Sequence, residues 1–153
     1  MLRSSKYALI AASLLLLSAA SFAQASNSYD VNLSGESAVN QCSVGEPVVL
    51  SGNVHVSYAV TNDNGVNHYA ITAADDLTAV GQKTGAAYVA GDSDDYSSNN
   101  DDPSADVTVE LKSDLKAQGA AAGMTLVQAL HIVVDTMGDI SAQVVSNTTT
   151  CGN

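Results

Sequence analysis

The stretch PVVLSGNVHVSYAVTNDNGV (Pro47–Val66) decides how this chain folds. Its apolar residues recur at every second position: Val48, Leu50, Val54, Val56, Tyr58 and Val60 fall on one face, with Ser51, Asn53, His55, Ser57 and Thr61 on the other. A period of two describes a strand packed on one side. Gly52 interrupts the run, where a bend or bulge is expected. Asn62-Asp63-Asn64-Gly65 then offers residues that tolerate positive φ, so the strand should end in a hairpin turn. On the return, Val66 to Ala73, Tyr69 and Ile71 take one face and His68, Ala70 and Thr72 the other. Pairing Thr61 with Val66 sets Tyr58 against Tyr69, Val56 against Ile71 and Val54 against Ala73, and such apolar pairing is what specifies register.

Beyond this hairpin, Asp75-Asp76 and Gly81 to Gly85 read as turns around a short Leu77 to Val80 segment, and Ala86 to Ala90 reads as a short strand. A polar, acidic loop, Asp92 to Asp102, stops at Pro103. Ala105, Val107, Val109, Leu111, Leu115 and Ala117 then alternate with Asp106, Thr108, Glu110, Lys112, Asp114 and Lys116, a two-sided strand that fits a helix poorly. Gly119 to Gly123 is a small-residue connector. Met124 to Thr136 and Ile140 to Thr149 form a last hairpin around Met137-Gly138-Asp139, with Val134 expected opposite Ala142 and Ile132 opposite Val144. Six to seven strands joined mainly by turns imply an all-β antiparallel meander, closed as a small β-sandwich or barrel. The sequence does not separate these two.

Toward the N-terminus, Arg3 and Lys6 precede an apolar run, Tyr7 to Ala20, and the small residues around Ala23 and Ala25 offer a cleavage pattern. Residues 1–25 therefore read as a signal peptide, residues 26–41 as a polar arm or leading strand carrying Tyr29, Val31 and Leu33, and residues 42–153 as one β domain. The expected location is secreted or periplasmic, in a bacterial setting. All sixteen carboxylates lie beyond residue 25, and losing Arg3 and Lys6 takes the formal charge from −11 to −13, leaving only Lys83, Lys112 and Lys116 as cations. Such a surface repels phosphate backbones and excludes nucleic acid as a partner. Membrane insertion is not expected either, because no later apolar segment is long enough to span. In an oxidising compartment Cys42 and Cys151 can pair within the chain; the alternatives are two free thiols or bridges between subunits.

The run Cys42 to Gly52 with its Gly45-Glu46 pair, the His55 that follows Gly52 by three residues, the Asn64-Gly65 turn, His68 and the closing Cys151 together resemble a group of uncharacterised secreted bacterial proteins. The likeness is carried by the first third of the Cys42–Cys151 span. It implies an all-β fold with a bridge between its ends, and it implies no activity.

The three histidines are candidates for metal or acid–base chemistry, but no HxH or HExxH spacing joins them, and His55 and His68 fall too far apart along the hairpin to share zinc. Asp92, Asp94, Asp95, Asp101 and Asp102 offer oxygen ligands of the kind calcium takes, although Tyr96, Ser97 and Pro103 break the EF-hand spacing. A solvated acidic loop is the simpler reading. No nucleophile elbow or phosphate-binding lysine motif is present, so no catalytic residue is nominated and the chain is not expected to be an enzyme. Val127, Val133 and Val145 lie on the nominally outward face of the last hairpin, where they suggest a subunit contact or an edge for strand addition. The expectation is a secreted, non-catalytic structural or binding protein of the cell envelope or matrix, with homo-oligomerisation open. The alternative is a calcium-dependent module built on residues 92–102, with no other cofactor.

Overall fold

In the computed structural model, which describes residues 26–42 and 45–151, every regular element is a strand. In chain order these are β1 (Ser26–Asn32), β2 (Ser37–Asn40), β3 (Glu46–Asp63), β4 (Val66–Gly81), β5 (Ala87–Ala90), β6 (Ser93–Asn100), β7 (Ala105–Ala117), β8 (Met124–Val134) and β9 (Ile140–Thr150). The leader read over residues 1–25 lies outside the described residues. The sheet runs β1-β3-β4-β5-β7-β8-β9, with β2 continuing β1 along the edge of β3 and β6 continuing β5 along the edge of β4. All neighbours are antiparallel. The result is a curled, half-barrel sheet that folds over its own apolar face like a sandwich. Nine strands replace the six or seven expected, because the polar arm forms two of them and the acidic segment a third.

The alternation read in β3 holds through the sheet. Leu50, Val54, Val56 and Tyr58 of β3, Ile71, Ala73 and Leu77 of β4, and Tyr88 of β5 are buried against Leu111 and Leu115 of β7 and Met124, Leu126, Leu130 and Ile132 of β8. Burying a Val, Leu or Ile side chain stabilises by about 1.5–3 kcal/mol. The tightly filled space between the two halves therefore holds the curl together.

A crease crosses the first half of the sheet at one height. Gly52 adopts φ +118°, and a Cβ there would collide with the Asp76 carbonyl oxygen. At the same level β1 gives way to β2, and β5 gives way to β6 at Gly91-Asp92. Asp75-Asp76, expected to turn, instead lie inside an uninterrupted β4, held by the Asp75 N–H to the Asp92 carbonyl (2.9 Å).

Both expected hairpin registers shift by two residues, which preserves which side chains point inward. Asp63 pairs with Val66 around a two-residue turn, because Asn64 (φ +52°) and Gly65 (φ +89°) both take the left-handed conformation that matches strand twist. Tyr58 thus faces Ile71, and Val60 faces Tyr69. At the last hairpin Val134 pairs with Ile140 and Ile132 with Ala142. The loop has five residues rather than three, because the Asp135 carboxylate accepts the N–H groups of Met137 (2.8 Å) and Asp139 (2.9 Å) and holds it open.

The two outermost edges meet without backbone pairing. At one end the Asn27 amide and the Tyr58 hydroxyl both donate to the Gly138 carbonyl (2.5 and 2.7 Å). At the other, the Thr149 hydroxyl donates to the Val39 carbonyl (2.6 Å), and Cys42 is bonded to Cys151 with Cα atoms 5.1 Å apart. The cysteines form the internal bridge, not an intermolecular one.

Candidate functional site

The histidines are dispersed over the outer faces, each held by a strand neighbour. His55 Nδ1 lies 2.7 Å from Asp30 Oδ1, His68 Nδ1 lies 2.8 Å from Asn99 Oδ1, and His131 Nε2 lies 2.8 Å from Asp106 Oδ1. With His68 opposite Thr61, it stands roughly 20 Å from His55 along the strand, at about 3.3 Å per residue. Among the described residues no three His, Cys, Asp or Glu side chains are placed to share a metal ion.

The acidic segment is not a loop. Ser93–Asn100 is strand β6, paired with Asn67–Ala74 of β4. Its alternation then gives successive carboxylates different tasks. Asp92 and Asp94 reach toward β7 and accept the N–H groups of Asp114 (2.7 Å) and Lys112 (3.3 Å), while the Tyr96 hydroxyl donates to the Glu110 carbonyl. Asp95 accepts from the Thr72 hydroxyl (2.7 Å), and Asp101 and Asp102 sit exposed in the turn beyond. Side chains thus stand in for backbone pairing between β6 and β7, and beside Tyr96 the two strands leave a groove of about 560 Å³. Burial, with Asp94 beside it, pushes the Tyr96 phenol up to about 12.

Two carboxylates missed from sequence are buried. Glu46 accepts from the Thr84 hydroxyl (2.7 Å) and the N–H groups of Thr84 and Lys83 (both 3.0 Å), which anchors the β4–β5 turn. The Thr84 hydroxyl, then its N–H, holds the Glu46 carboxyl below the usual carboxylate range. Asp75 points into the core toward Ser113 of β7, and neither of its oxygens has a hydrogen-bond partner among the described residues. Burial pushes its carboxyl up, with Asp92 and Asp76 adding repulsion, and the nearby Ser113 hydroxyl and Asp92 N–H offset this only partly.

The apolar surface gathers elsewhere than expected. Val127 lies between Lys112 and Thr148, Val133 lies between Asp106 and Ser141, and Val145 occupies a bulge in β9 with no residue opposite it. Val127 and Val133 are six residues apart on β8, roughly 20 Å, with His131 between them, so the three valines do not form one patch. A contiguous patch does form at the disulfide end of the first half. Val49 pairs with Val80, Val80 with Ala87, Ser37 with Val49, and Val39 with Pro47, all on the outer face, and Val89 stands beside them on β5. Val39, Val80 and Val89 are each two-fifths to one-half exposed. Its sequence signals are the doublets Ala38-Val39, Val48-Val49, Ala79-Val80 and Tyr88-Val89, where two adjacent apolar residues cannot both face inward.

The lysine-free turns gather at one end of the strand axis. The turns at the β3–β4, β6–β7 and β8–β9 end carry or adjoin Asp63, Asp101, Asp102, Asp135 and Asp139 and no lysine. At the opposite end Lys83 lies in the β4–β5 turn, its Nζ 3.4 Å from the Gly45 carbonyl, and Lys116 pairs with Val89, while the exposed Glu36 beside β2, the exposed Asp114 two residues from Lys116 and the buried Glu46 are the carboxylates nearest them. The valine patch is therefore flanked by two of the three lysines among the described residues. At the acidic end Met137 projects from its turn 82 % exposed, between Asp135 and Asp139. No helix among the described residues is long and apolar enough to cross a membrane.

The chain matches no protein-family model, no curated protein and no solved structure.

Proposed function

We propose that this chain is a secreted, non-catalytic structural or binding component of the cell envelope or extracellular matrix, acting through its outer surface. The observation that carries this reading is the valine patch between Lys83 and Lys116. An exposed apolar stripe across four strands, in a chain otherwise dominated by carboxylates, has the character of a contact surface. The bridge between Cys42 and Cys151 supports an oxidising destination beyond the cytoplasm. The histidines and most β6 carboxylates are engaged in strand-to-strand hydrogen bonds rather than converging on a cleft, which supports a non-catalytic role.

The test is the state of the protein in native secretions or envelope fractions. Size separation and cross-linking should place it in assemblies or bound to a partner. A free monomer throughout would overturn the reading. Calcium separates the alternative: a rise in Tm with millimolar calcium, absent with magnesium, would favour a calcium-dependent module built on residues 92–102.

A further inference from the structure

Resting on that contact-surface reading, we propose that the occupant of the valine patch is the Met137 turn of a second copy of this chain. Met137 seats against Val39, Val49, Val80 and Val89 of its neighbour, and the carboxylates of Asp135 and Asp139 meet Lys83 and Lys116. Each half of this contact is built, and its apolar side chains stand exposed. Met137 is the most exposed large apolar side chain among the described residues, and two carboxylates bracket it. The patch has an apolar floor with a lysine at either side and Glu36 at its β2 border. Asp135 spends Oδ1 on its own turn, which fixes the loop's shape, while the exposed Asp139 side chain remains outward.

Charge selects this pairing over its rivals. Two patches facing each other would oppose Lys83 and Lys116 to their own copies, and two Met137 turns would oppose Asp135 and Asp139. Only the Met137 turn on the patch brings Asp135 and Asp139 to Lys83 and Lys116. The two surfaces sit at opposite ends of the strands on a single copy, so the contact is head-to-tail. Such a heterologous contact leaves one free end of each kind and propagates into rings or filaments rather than stopping at a dimer. A thioether is also suited to a patch of branched side chains, because its unbranched stem adapts to an irregular floor.

The experiment uses the mature, disulfide-bonded protein in light scattering and sedimentation across a wide concentration range. The unmodified chain should grow in mass with concentration. Met137→Asp and Val80→Asp, each checked for an unchanged circular dichroism spectrum and melting, should each weaken association by about tenfold or more, as loss of a central anchor does. Mixing the two variants is the decisive arm. Met137→Asp retains an intact patch and Val80→Asp an intact Met137 turn, so the mixture should form a one-to-one dimer and stop there. Lys83→Glu should also weaken association, and Asp139→Lys added to it should restore part of the loss. Growth unaffected by either aspartate variant would overturn this contact while leaving the contact-surface reading standing. A wild-type monomer that instead binds phosphatidylglycerol vesicles through Val80 would give the patch to a lipid surface. A wild-type monomer with no partner at all would sink both proposals.

Discussion

Glu46 and Asp75 are both buried carboxylates, yet they act on stability with opposite sign. Glu46 is held by three donors that favour its charged form, so its folded pKa lies below its unfolded one. Its contribution is present above the ordinary carboxylate range and is lost as pH falls through the depressed folded value. Glu46→Gln should lower Tm at pH 7, because an amide NH₂ then faces the same donors, and the gap from wild type should narrow as the solution is acidified. Asp75 has the reverse arrangement: burial, only partly offset by the Ser113 hydroxyl and the Asp92 N–H, raises its folded pKa, so the folded state holds its proton where the unfolded chain has released it. Its contribution is least unfavourable below the unfolded carboxylate pKa, and stability declines as pH rises from there toward the raised folded value. Asp75→Asn mimics the protonated form and should raise stability at pH 7–8 by on the order of 1 kcal/mol, while leaving it nearly unchanged at pH 3–4. Thermal melts of both variants across pH check the two signs together. A loss of stability in Asp75→Asn at neutral pH would mean that the Asp75 charge is compensated in the folded state.

At the scale of strands, the junction of β6 with β7 is the most unusual feature, because carboxylates and a phenol replace a hydrogen-bonded ladder. Asp92→Ala should therefore speed hydrogen exchange at the Asp114 amide, and Asp94→Ala at the Lys112 amide, without altering protection between β3 and β4. Tyr96→Phe removes the donor to the Glu110 carbonyl and should cost about 1 kcal/mol, read as a lower urea midpoint with an unchanged slope. Uniform loosening of all strands in these variants would show that the junction carries no local role. This is also where the sequence was least legible. Strands β3, β7 and β8 announced themselves because one face of each is buried and the period of two survives in their apolar residues. SDDYSSNN carries one large apolar residue, Tyr96, and becomes a strand only because the edge of β4 offers backbone partners, a tertiary effect that composition cannot report. Asp75 was hidden for a related reason: a carboxylate in an otherwise apolar column looks like a turn until its neighbours are known. The valine patch left only its doublets, and Met137 read merely as part of a turn, because exposure depends on what packs over a residue.

For the molecule as a whole, the number of strands around the curl explains why the chain needs its bridge. Counting β1 with β2 and β5 with β6 as single positions, seven strands run around the sheet, each antiparallel to the next. An odd count leaves the first and last pointing the same way, and the paired ends agree, with Asn27 near Gly138 and Val39 near Thr149. β1 and β9 therefore cannot extend the antiparallel ladder across the last gap, and between them lies a groove of about 510 Å³ lined by Tyr29, Val31, Val144 and Val145. Closure falls to a few side-chain hydrogen bonds and to the bond between Cys42 and Cys151, which spans 109 residues of sequence. A cross-link over about 100 residues removes roughly 4–5 kcal/mol of unfolded-state entropy in the chain-entropy model. For a domain near this size that corresponds to a fall in Tm of roughly 10–20 °C when the bond is lost. Replacing both cysteines by serine should produce that fall. If the bridge also closes the gap, hydrogen exchange in β1 and β9 should rise well below the melting temperature while the β3–β4 hairpin stays protected. A bridge that acts only on the unfolded chain would lower Tm and leave native-state exchange in β1 and β9 unchanged, so the two measurements together separate an entropic staple from a clasp.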